Sequence, residues 1–160
     1  MEIRQVRYEE LDQCAQVIRD SFRDVAEAFG LTRENCPGHT SFVEAAHLRE
    51  EYGRGFAMFG AFADGALVGY VSTREIGDGV WELDHLAVLP AWRRRGTGGR
   101  LIDRCVAEAK QQDATTMKIG IIEENERLKT WYVSYGFRPS GTAWFPHLPF
   151  TVGFMELELF

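Results

Sequence analysis

Apolar positions recur along this chain with two different periods, and the switches between them mark its elements. Residues 2–6 alternate apolar and polar and predict a first strand. Leu11, Cys14, Ala15, Ile18, Phe22, Val25 and Phe29 then follow the three- and four-residue spacing of one helix face, ending near Gly30. A polar loop over 32–41, with Pro37 and Gly38, precedes a shorter helix to about Glu51. Strands are predicted over 56–62 and 67–75, joined by the hairpin signal Ala63-Asp64-Gly65. Gly77-Asp78-Gly79 turns the chain into a further strand over 80–89. Helical period returns at Leu101, Ile102, Cys105, Val106 and Ala109. A strand over 117–122, a helix opening at Asn125, and strands near 142–145 and 151–159 complete the order. An antiparallel meander, then strand–helix–strand–helix, then an antiparallel pair predicts one mixed α/β domain over residues 1–160.

Composition narrows the class. A hydrophobic content of 45% over 160 residues supports a packed core rather than disorder. No apolar run approaches the roughly 20 residues a membrane helix requires, and residues 1–6 lack the apolar stretch of a signal peptide. Three cysteines (Cys14, Cys36, Cys105) cannot all pair, which fits a reducing cytoplasm. A net charge of −6 argues against nucleic acid as partner and suits a cationic acceptor. Cys36 and His39 have the spacing of a metal half-site, but no second ligand pair accompanies them, so no metal is expected.

The chemistry concentrates in residues 88–101. An apolar strand stops at Pro90, a basic glycine-rich turn follows, and a helix opens. Bare N–H groups at a helix N-terminus attract anions. Gly96, Gly98 and Gly99 allow close approach to the backbone, and Arg93, Arg94 and Arg95 add forked positive donors. The segment reads as a pyrophosphate seat. It is not a P-loop, because the chain has no Gly-Lys pair, nor a dinucleotide fingerprint, because Leu101 stands where the third glycine belongs. Downstream, Asn125 suits a helix N-cap, Leu128, Trp131, Tyr132 and Tyr135 form an apolar stripe, and Gly136 suits the helix end.

Arg93-x-x-Gly96-x-Gly98 after a strand ending in Val-x-Pro resembles the acyl-CoA signature of the GNAT superfamily of N-acyltransferases. Asn125, Tyr132 seven residues later, and Gly136-Phe137 resemble that family's second motif, so the resemblance spans roughly residues 56–137. It implies a GNAT-like fold with a mixed, mostly antiparallel twisted sheet of about seven strands and about four helices. It also implies acetyl-CoA as acyl donor. Residues 94–99, including Thr97, would meet the pyrophosphate, and Arg93 and Arg95 would balance its charge. The main chain of Leu86, Ala87 and Val88 would pair with the pantetheine arm, with Asn125 and Tyr132 completing the cofactor site.

Acyl transfer to an amine needs a proton acceptor for the amine, and the departing thiolate gains from a donor. Tyr132 matches the family's proton donor. Glu82 and Asp84, sharing one strand face, and His85, on the other face unless a bulge intervenes, are the candidate bases. Acceptor specificity falls outside the matched half, in the loop carrying His39 and in the aromatic loop 144–150 with Phe145 and His147. The leading expectation is acetylation of a small-molecule primary amine by direct attack in a ternary complex. A protein acetyltransferase (lysine or N-terminal) and a non-catalytic acyl-CoA sensor are the alternatives, and pairing of the last strands across a homodimer stays open.

Overall fold

The computed structural model describes all 160 residues. In chain order they form β1 (Glu2–Gln5), α1 (Leu11–Ala28), α2 (Ala45–Gly53), β2 (Ala57–Ala63), β3 (Ala66–Gly77) and β4 (Val80–Val88). Then come α3 (Thr97–Lys110), β5 (Thr116–Ile122), α4 (Glu126–Tyr135), β6 (Arg138–Trp144) and β7 (Thr151–Glu158). Single 3-10 turns at Tyr8–Glu10, Thr40–Phe42 and Pro90–Trp92 punctuate the loops. The seven strands make one sheet, ordered β1-β2-β3-β4-β5-β7-β6. Every neighbouring pair is antiparallel except β4 and β5. This is the mixed α/β fold that the resemblance implies, with four α-helices.

Helices cover both faces, which is why β2 and the first half of β3 are apolar without alternation. On one face Leu101, Ile102, Cys105 and Ala109 of α3 pack with Val71, Leu83, Met117 and Ile119. On the other, Leu11, Cys14 and Ile18 of α1 and Leu48 of α2 pack with Met58, Tyr70 and Ala87. No helix is long and apolar enough to cross a membrane.

The sheet departs from the sequence expectation at one edge. β6 begins at Arg138, directly after the α4 terminus, rather than near Thr142. Pro139 and Gly141 hide it from a pattern reading, since both weaken a strand, yet an edge strand tolerates them. β7 inserts between β5 and β6, so the last hairpin returns to the middle of the molecule beside β5.

Candidate active site

The site begins with a bulge in β4. Tyr70 of β3 pairs with Ala87 and Ser72 pairs with Asp84, so His85 and Leu86 together oppose the single residue Val71. His85 takes up the irregularity with a left-handed φ of 54°. Unbroken alternation would send Ala87 to the α3 face with Leu83, but it lies in the α1 core instead. The bulge turns His85 toward the loop before α2. There its Nδ1 lies 3.2 Å from Thr40 Oγ1, and its Nε2 lies 3.7 Å from Glu51 Oε1. All three candidate bases therefore stand close together, His85 by way of the bulge that the sequence reading required for it.

Glu82 and Asp84 face the same side as expected, but their environments differ. Arg74 donates to Glu82 at 3.3 Å. Asp84 has no cationic partner of this kind, and burial raises its carboxyl to about 7. The adjacent Glu82 charge adds to the rise, while His85 opposes it. Of the two carboxylates, burial holds Asp84 the closer to its protonated form. Burial and the arginine across the strand, which distinguish the two carboxylates, are tertiary facts that no local spacing announces.

Beyond the bulge, β4 leaves its parallel neighbour. The two strands pair only through Val80–Glu82 with Thr116–Lys118, and the rest of β4 has no partner on its β5 side. Leu86, Ala87 and Val88 border this gap. It leads to the turn before α3, where Arg94 and Gly96 both have left-handed φ angles (62° and 79°). Gly96 occupies the N-cap position without a side chain to satisfy the helix. The N–H groups of Arg94 through Gly99 have no main-chain acceptor, leaving a row of donors at the positive end of α3. Thr97 is buried, with its hydroxyl 3.4 Å from Trp92 O. Arg95 stacks on the Trp92 ring, and Arg94 is exposed.

Arg93 is engaged within the chain. Its guanidinium donates to Ser21 O at 2.5 Å, to Asp24 Oδ2 at 2.7 Å and to Val88 O at 3.2 Å. These bonds fasten the glycine-rich turn to α1 and leave the main-chain amides to meet an anion. Asp24, on the far side of the chain in sequence, carried no local signal of this partnership.

Tyr132 is buried on α4, edge-on to Phe137. Burial raises its phenol well above the ordinary value, and the charge of Asp84 adds to the rise. The proximity of these two groups joins the candidate base and acid across the β4–β5 gap. Asn125 serves as the helix cap, its side-chain oxygen accepting from Leu128 N at 3.2 Å. Tyr135 donates to Asp103 of α3 at 2.5 Å and so ties two helices together.

The loop carrying His39 and the aromatic loop 144–150 come together. Leu148 and Phe150 of the late loop pack with Ala26, Leu31 and Cys36, and the Phe150 ring stands 6.4 Å from His39. His39 is held in place by Ser41, whose N–H donates to Nδ1 at 3.1 Å, and burial lowers its pKa to about 4. It is therefore neutral at pH 7. Phe145 and His147 lie together on the exposed rim, ring centres 5.8 Å apart. The sequence reading missed Glu51, Thr40 and His47 around His85. Only the i, i+4 spacing of His47 and Glu51 on a helix hinted at a shared face.

A mixed seven-stranded sheet whose one parallel pair splays toward an uncapped, glycine-rich helix N-terminus defines an α/β domain with an anion-accepting turn at its centre. The sequence profile of the acetyltransferase (GNAT) family matches residues 15–137, and the chain belongs to that family. An uncharacterized N-acetyltransferase of Mycobacterium tuberculosis is 30% identical over 89 residues, covering 56% of this chain and 57% of the relative. The match thus spans little more than half of that relative's length. An N-acetyltransferase of Lactobacillus delbrueckii subsp. lactis, also uncharacterized, is 24% identical over 149 residues, covering 85% of this chain and 83% of the other. Among solved structures, the PaiA N-acetyltransferase of Thermoplasma acidophilum in complex with coenzyme A superimposes with a TM-score of 0.84. Its identity is 21%, over 98% of both chains.

Proposed function

We propose that this chain transfers the acetyl group of acetyl-CoA to the primary amine of a small molecule, by direct attack within a ternary complex. The observation that carries the reading is the β4–β5 gap, which runs from Asp84 and Tyr132 to the unpaired N–H groups of Arg94–Gly99. A pantetheine arm laid along the free edge of β4 puts its pyrophosphate on the turn and its thioester beside the bulge. Leu86, Ala87 and Val88 offer main-chain partners to the arm. The turn supplies the donors that an anion needs, with Arg93 holding it in shape.

Asp84 accepts a proton from the bound ammonium, directly or through water. At pH 7 a lysine-like amine of pKa about 10.4 is neutral in roughly one molecule in 2,500, so deprotonation costs about 4.6 kcal/mol. The amine nitrogen attacks the thioester carbon, the C–S bond breaks, and Tyr132 protonates the leaving sulfur. Solvent returns to Tyr132 the proton that the new amide sheds. The pairing of Asp84 and Tyr132 helps in sequence: once Asp84 is protonated, its charge no longer holds the phenol proton so tightly. Support for a small acceptor comes from the half-buried aromatic surround of His39, with Phe22, Phe42 and Phe150 around its ring. His39, Phe145 and His147 are the proposed acceptor-side residues.

Thiol release from acetyl-CoA, screened over polyamines, amino acids, aminoglycosides, arylamines and short peptides, tests the reading. Turnover with one small-amine class is expected. Tyr132→Phe and Asp84→Asn should each lower kcat by about 10²-fold or more, with acetyl-CoA affinity measured by calorimetry largely kept. Unchanged turnover removes the altered residue from the mechanism. Turnover confined to peptides moves the acceptor to proteins, and tight acetyl-CoA binding with no turnover favours a sensor.

A further inference from the structure

We propose that His47, Glu51 and His85 form a binding site for a divalent transition-metal ion of zinc type, joining α2 to the β4 bulge. The three side chains each present one donor atom, all within 4.8 Å of one another. Glu51 Oε2 lies 3.4 Å from His47 Nε2, and Glu51 Oε1 lies 3.7 Å from His85 Nε2. Two ligands on a tetrahedral zinc, each about 2.0–2.1 Å from the metal, stand about 3.4 Å apart. Each imidazole already stands at nearly that distance from one oxygen of Glu51, and a small turn of the exposed His47 ring draws the donors together.

Glu51 carries the argument beyond a chance cluster. Its residue is 6% exposed, and its Oε1 is buried without a hydrogen-bond partner. A carboxylate oxygen stranded in this way is costly unless a cation meets it. Thr40 gives the second support. Its hydroxyl engages His85 Nδ1, which turns Nε2 toward Glu51, the outer-shell arrangement that orients a ligating imidazole. Two imidazoles and one carboxylate are the donors that zinc accepts, with a fourth position left open toward the exposed edge of His47. His47 and Glu51 stand four residues apart on α2 and so share a face. His85 joins them only because the bulge lifts it there. The residues differ from Cys36 and His39, a half-site spacing that no second ligand pair accompanies.

The test is titration of the full chain, stripped with chelator and then freed from it, with zinc(II) by calorimetry and with cobalt(II) by absorption. One ion per chain is expected, with cobalt bands of low coordination number. His47→Ala, at an exposed position, and Glu51→Gln, which keeps the side-chain shape, should each weaken binding at least about tenfold. No binding up to millimolar metal overturns the proposal, as does binding that either folded variant leaves within tenfold of the parent. Should Glu51→Gln fail to fold, His47→Ala decides alone. None of these readouts requires acetyl transfer, so they stand or fall apart from the enzymatic reading.

Discussion

Single residues at the α3 N-terminus separate what glycine does for packing from what it does for a ligand. A Cβ on Gly98 would meet Trp131 Cζ2 at 3.0 Å and Cη2 at 3.1 Å, whereas one on Gly99 would meet nothing within 4 Å. Gly98→Ala should therefore cost about 1–3 kcal/mol through displacement of the indole. Gly99→Ala should stabilise the free chain by about 0.4–1 kcal/mol, by restricting the unfolded state. Thermal or urea unfolding of the two variants checks the contrast, and equal effects would contradict it. The glycine pattern was legible in the sequence, but which glycine holds back from Trp131, far downstream, was not. Asp84 teaches the same lesson. Its identity and strand face were readable, while its elevated pKa needed the burial and the Glu82 neighbour that folding supplies.

Some ion pairs in this molecule join different elements, such as Arg93 with Asp24 and Arg74 with Glu82. Arg4 of β1 donates through two nitrogens to Glu10 in the turn before α1, at 3.0 and 2.8 Å. Those bonds lower the Glu10 carboxyl from 4.5 to about 2. A lowered folded pKa means that the unfolded chain binds the proton more readily. The contribution is complete above pH 4.5 and is lost as pH falls toward 2. Glu10→Gln should thus lower stability at neutral pH and flatten the acid limb between those values, as followed by urea unfolding at stepped pH. An unchanged acid limb would show that the pair contributes nothing. Helices α1, α3 and α4 and the first hairpins were readable from period and turn residues, because local spacing decides them. β6 was partly hidden, because Pro139 and Gly141 oppose strand formation and only the pairing with β7 overrules them.

The whole molecule is organised around a sheet that comes apart on purpose at its centre, between β4 and β5. Amides of Arg94–Gly99 lack main-chain acceptors, so they should exchange with solvent rapidly in the free chain. Saturating coenzyme A should slow them at least about tenfold, measured by hydrogen exchange with and without the ligand. Protection elsewhere with none at this turn would place the pyrophosphate at another site. The glycine-rich turn could be read from the chain because a strand, a turn and a helix start are consecutive, so their order in sequence is their order in space. The rest was decided by folding. His85 meets Glu51 because a bulge shifts the strand by one residue. Arg93 is bound to Asp24 because α1 packs beside the turn. By itself the sequence determined the family, the order of elements and the residues available for chemistry, since these rest on local spacing. Only the tertiary structure decided which carboxylate burial raises and which donors remain free. Burial and partnership between distant segments do not exist until the chain has closed.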